Sequence, residues 1–120
     1  MRDFRTLNIW KEGISLVKNV YNLADLLPQE EKYGLKSQIC RAAVSIPSNI
    51  AEGCSRLSQI DFERFLEIAL GSAFEVETQL IIIEELELIT KEQLSATFNQ
   101  LTKLQKMINN LNSKLKANGK

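Results

Sequence analysis

The chain has 120 residues, 44% hydrophobic and 25% charged, with only 5 Gly and 2 Pro. That is the size and composition of one folded domain with one core, and it excludes a disordered or collagen-like protein. Lys plus Arg and Asp plus Glu number 15 each, so net charge is zero, and no overall basic charge draws the chain to nucleic acid or membrane.

Uninterrupted apolar stretches such as Leu80 to Ile83 are far shorter than the roughly 18 residues a membrane helix needs. Charges in Met1-Arg2-Asp3-Phe4-Arg5 break any apolar leader, so a cytoplasmic location without membrane contact is expected. The two cysteines, Cys40 and Cys54, are too few for a disulfide scaffold. With no histidine in the chain they cannot complete a four-ligand zinc site, and no metal or cofactor is expected.

Apolar residues at Leu7, Trp10, Ile14, Val17, Tyr21 and Ala24 recur at steps of three and four, predicting a first helix over about 7–27 with that line in the core. Pro28 ends it. Leu35, Ile39, Ala42 or Ala43, Ile46 and Ile50 predict a second helix over about 35–52, with Gly53 as a left-handed cap. The stripe keeps its phase across Pro47, so this helix is expected to run through the proline with a bend. Ser58 to Asp61 reads as a helix start and Thr90 to Gln93 as a capping box, placing the remaining helices at about 59–88 and 91–116. The fourth carries Leu94, Leu101, Leu104, Ile108, Leu111 and Leu115 in heptad phase, with Thr97 the polar exception. Four helices with short connections predict an all-α, antiparallel up-and-down four-helix bundle occupying residues 1–120 as one domain.

The third helix is apolar over most of its circumference. Phe62, Phe65, Ala69, Ala73, Val76, Leu80 and Ile83 form one face; Leu70, Phe74, Ile81 and Leu88 form a second; Ile68, Ile82 and Leu86 lie on the other flank. Three neighbouring helices cannot cover all of this. The line Leu70, Phe74, Ile81 and Leu88 is therefore expected to be an interface between copies of the chain.

No catalytic residue is assigned. Without histidine, the carboxylate–histidine sites of di-iron bundles and the Ser/His or Cys/His nucleophile pairs are absent, and the five isolated glycines make no phosphate loop. On the second helix, Gln38, Arg41, Ser45, Asn49 and Glu52 form a polar stripe, which reads either as a solvated face or register-fixing seam or as a recognition surface. Charge is uneven along the chain: residues 61–90 hold one Lys/Arg against eight Asp/Glu, and residues 91–120 hold six against one. Lys103, Lys106, Lys114 and Lys116 make the fourth helix a candidate nucleic-acid surface, with Arg41 and Arg56 as further candidates. No aromatic residues are interleaved there to stack bases.

The stretch Leu27 to Phe65, above all Ala43-Val44-Ser45-Ile46-Pro47-Ser48-Asn49-Ile50-Ala51-Glu52-Gly53, resembles the bacterial proteins named after intervening sequences of 23S ribosomal RNA. Trp10, Tyr21, Ala69-Leu70-Gly71-Ser72-Ala73 and Glu75 add to it. The resemblance implies an up-and-down bundle assembled into a ring, often a pentamer, with no established catalytic activity. A related branch, the accessory variability proteins of diversity-generating retroelements, binds nucleic acid together with a reverse transcriptase, so RNA or such a protein is an implied partner. That branch is strongly basic, whereas this chain is neutral and has Cys40 beside Arg41 where a second arginine is common. The function expected is that of a non-enzymatic homo-oligomeric binding or scaffold protein associated with nucleic acid. The alternative is a protein interaction module that makes no nucleic-acid contact.

Overall fold

The computed structural model describes residues 2–119. Its helices are α1 (Asn8–Ala24), α2 (Leu35–Cys54), α3 (Gln59–Glu85) and α4 (Lys91–Asn118). Single 3₁₀ turns at Phe4–Thr6 and Gln29–Glu31 shape the N-terminal segment and the α1–α2 connection. The two starts read from the sequence are made as expected. Ser58 Oγ accepts from the Asp61 amide at 3.1 Å. Thr90 Oγ1 accepts from the Gln93 amide at 3.2 Å while the Gln93 side chain accepts from the Thr90 amide at 3.3 Å.

Each helix packs on its sequence neighbours, and α4 closes the square against α1; α1 and α3 face each other across one diagonal, α2 and α4 across the other. The product is an antiparallel up-and-down bundle measuring 48 × 22 × 19 Å. Leu16, Val20, Ile39, Ile46, Ile50, Phe62, Leu66, Leu80, Leu94, Leu104 and Ile108 are among the residues that fill one continuous core. No helix is long and apolar enough to cross a membrane, among the described residues.

Three expectations are corrected. The buried line of α1 is Ile9, Gly13, Leu16, Val20 and Leu23, about 100° round the helix from the predicted one. Of the predicted line, Ala24 is buried and Leu7, Trp10 and Val17 are half-buried, while Ile14 and Tyr21 are 45% and 47% exposed. The helix has two apolar stripes, and only packing decides which goes inside.

Gly53 is no left-handed cap: it lies inside α2, which ends one residue later, with Ser55 in right-handed helical geometry. Its lack of a side chain serves close packing instead. A Cβ at Gly53 would stand 2.8 Å from Phe65 Cβ and 3.1 Å from Phe62 Cδ1, so α2 and α3 meet here at backbone distance. Gly13 serves α1 in the same way, facing Pro47, whose Cβ would be 3.3 Å from an added Cβ. Pro47 is buried within an uninterrupted helix, as its stripe predicted.

Finally, α3 ends at Glu85 rather than near 88. Glu87 takes a left-handed conformation, φ 57°. The Glu87 amide donates to the Glu84 carbonyl at 3.0 Å and the Leu88 amide to the Ile83 carbonyl at 3.1 Å, the paired bonds that close a helix at a left-handed residue.

Candidate interaction surfaces

The proposed interface line on α3 divides in two. Phe74 and Ile81 are 53% and 43% exposed on the outer side of the bundle. Leu70 and Leu88 instead pack, half-buried, against the chain's own core. Leu88 is past the helix end, where it supplies the apolar contact that accompanies the turn at Glu87. Ile68, Ile82 and Leu86 on the opposite flank are exposed, as the circumference of α3 requires.

The stripe on α2 is also split. Gln38, Arg41 and Glu52 are exposed, whereas Ser45 and Asn49 are half-buried against α3. Ser45 Oγ lies 2.9 Å from Ser72 Oγ on α3. The Asn49 amide group donates to Ser45 Oγ and to the Ser45 carbonyl, each at 2.8 Å. The Ser45–Ser72 bond favours one register of α2 against α3, because a one-turn slip would leave both hydroxyls unpaired in a half-dry interface, whereas the Asn49 bonds stay within α2. Ser72, the partner on α3, stands in the Ala69-Leu70-Gly71-Ser72-Ala73 stretch, whose spacing alone does not pair it with Ser45. Arg41 and Glu52 do not pair: Glu52 accepts from Arg56 at 3.1 Å.

The basic candidates are partly neutralised. Lys103 lies 3.7 Å from Glu12 on α1, and Lys116 lies 3.5 Å from Glu67 on α3. Arg56, besides its pairing with Glu52, sits 4.8 Å over the Phe65 ring. Lys106, Lys114 and Arg41 are exposed and have no ion-pair partner among the described residues. By helical phase Lys103, Lys106 and Lys114 share a side of α4, and Lys116 points away from it. Lys114 borders a shallow concavity between α1 and α4 with Leu7, Asn8 and Met107.

Both cysteines are free and buried. Burial pushes the thiol of each above its ordinary pKa of 9.0, Cys40 and Cys54 alike, so they stay protonated and act as packing groups. Two further polar residues are buried where the sequence gave no sign of it. Gln79 on α3 and Asn112 on α4 each have a side-chain oxygen without a hydrogen-bond partner among the described residues. Asn112 occupies the core line of α4 one turn after Ile108.

This arrangement of helices is shared with a known protein. A crystal structure of a protein of unknown function from the S23 ribosomal protein family of Bacteroides thetaiotaomicron VPI-5482 is 30% identical and superposes with a TM-score of 0.81. The match covers 88% of this chain and 95% of that one. No curated protein matches. A family model described as 23S rRNA-intervening sequence protein matches residues 5–110, and the chain belongs to that family.

Proposed function

We propose that this chain is a non-enzymatic, homo-oligomeric scaffold of the cytoplasm. The observation that carries the reading is the surplus of outward-facing apolar side chains, Phe74 and Ile81 on α3 and, on a separate face, Ile14 and Tyr21 on α1. Apolar patches of this kind on a folded protein serve as association surfaces. The absence of histidine removes the commonest general base and metal ligand, which favours binding over catalysis.

Static and dynamic light scattering at micromolar concentration tests the proposal. A mass several times 13.6 kDa is expected, and a strictly monomeric mass overturns it.

A second reading, attraction of RNA, is favoured by one observation: beside Lys103 on α4, Lys106 and Lys114 are exposed and have no ion-pair partner among the described residues. A ring would repeat these charges around its axis. So few free cations give sequence-independent affinity no tighter than about micromolar, and it collapses as salt rises. Fluorescence anisotropy across a salt series, with the four α4 lysines changed to Glu as control, measures this. Tight, salt-insensitive binding that survives the substitutions would place the RNA surface elsewhere.

A further inference from the structure

The segment that precedes α1 is shaped by its own hydrogen bonds. Asp3 Oδ1 accepts from the Arg5 amide at 3.1 Å, and Thr6 Oγ1 donates to the Asp3 carbonyl at 2.8 Å. The Thr6 and Leu7 amides close the 3₁₀ turn on the carbonyls of Asp3 and Phe4 at 3.2 and 3.0 Å. Leu7, extended at φ −78° and ψ 129°, joins this turn to α1. None of Phe4, Arg5 and Thr6 is buried.

What the segment lies on is buried far more deeply. It crosses the end of α2, where the Arg2 amide donates to the Cys54 carbonyl at 3.0 Å. That carbonyl is in the last turn of α2, where a helix supplies no donor of its own. The Arg2 guanidinium stands 4.1 Å from the centre of the Phe62 ring in the first turn of α3. Phe4 meets Trp10 of α1 edge to face, with ring centroids 5.2 Å apart. Beneath these contacts Cys54 and Phe62 are each 1% exposed. The covering is loosely packed: a concavity of about 440 Å³ remains between the segment and Ala51, Cys54 and Ser55.

The bonds that shape the turn are internal and survive its departure. Lifting it breaks one main-chain hydrogen bond, one cation–ring contact and one aromatic pair. A segment with so few buried contacts belongs to the low end of a protein's local stabilities. We infer that residues 2–7 are a latch that swings about Leu7 while the four helices stay folded, and that the Cys54 thiol is reached from solvent only when the latch is open. While it is closed, burial raises the thiol pKa and Cys54 keeps its proton. Opening removes that burial and bares a floor of Ala51, Cys54 and the Phe62 ring at this end of the bundle, so chemistry at Cys54 is conditional on the position of the segment.

The test has a control in the same helix. Cys40 is also buried in α2, but 14 residues before Cys54, about 21 Å along the axis and away from the segment. Timed labelling of the full chain with N-ethylmaleimide, read by mass analysis of tryptic peptides, separates the two thiols because Arg41 lies between them. Arg2→Ala with Phe4→Ala removes both side-chain anchors. This variant should label at Cys54 faster by about tenfold or more, with the Cys40 rate unchanged and the helices intact by circular dichroism. Phe4→Ala alone, whose anchor is on α1 and not on α2, should still raise the Cys54 rate several-fold, as a segment moving in one piece requires. An unchanged Cys54 rate in the folded double variant overturns the latch. An equal rise at Cys40 also overturns it, since the segment would then be holding up the whole bundle. A Cys54 rate that responds to Arg2→Ala but not to Phe4→Ala overturns the swing about Leu7.

Discussion

At the scale of residues, two glycines in the bundle have opposite prospects. An added methyl at Gly53 collides with Phe65, and overpacking of this kind costs about 1–3 kcal/mol. The gain in helix propensity, about 1 kcal/mol, offsets only part of it. Gly71, on the exposed side of α3, has nothing within 4 Å of its Cβ position, so there the propensity gain stands alone. Gly53→Ala is expected to lower the unfolding free energy and Gly71→Ala to raise it by about 1 kcal/mol, both read from urea unfolding at one fixed protein concentration. From sequence the two are indistinguishable, since only the partner helix tells them apart. Gly53 suggested a cap because a glycine after an apolar run usually is one. Nothing in the sequence marks Asn112 and Gln79 as buried, because residues of their type are mostly exposed.

At the scale of elements, starts were more legible than faces. Ser58 and Thr90 act through side chains bonding three residues on, a local event that sequence spacing encodes directly. The end of α3 is encoded less openly, because a glutamate occupies the left-handed position that glycine usually takes. L-residues pay about 1–2 kcal/mol there. Glu87→Gly should relieve much of that strain and stabilise the bundle by about 1 kcal/mol, read from thermal or urea unfolding; an unchanged midpoint would mean that Glu87 makes a compensating contact. The buried face of α1 was not legible, because Trp10, Ile14, Val17 and Tyr21 repeat with the same period as Ile9, Gly13, Leu16 and Val20. Periodicity reports that a stripe exists; choosing between two stripes takes the fit of Gly13 on Pro47. The surplus stripe then had to lie outside, which is why the apolar surface of the molecule is larger than α3 alone implied.

At the scale of the whole molecule, the uneven charge along the sequence cancels in part in space: Glu12 on α1 meets Lys103 and Glu67 on acidic α3 meets Lys116. What remains unpaired on the surface of α4 is too little to dominate the electrostatics of a neutral chain. The α1–α4 seam that contains one of these pairs differs from the other three. Consecutive helices meet across loops of at most ten residues, but Asn19 and Gln100, 2.7 Å apart, are separated by 81 positions in the chain. Ser15 accepts from the same glutamine, and Glu12 and Lys103 add the outer ion pair, so the outer part of this joint is polar. Closing it requires ordering nearly the whole chain for a modest return, whereas the three hairpins form from local contacts. The α1–α4 joint is therefore the last contact to form and the first to open, and the backbone amides of the outer helices α1 and α4 will exchange with solvent ahead of those in the centre of α3.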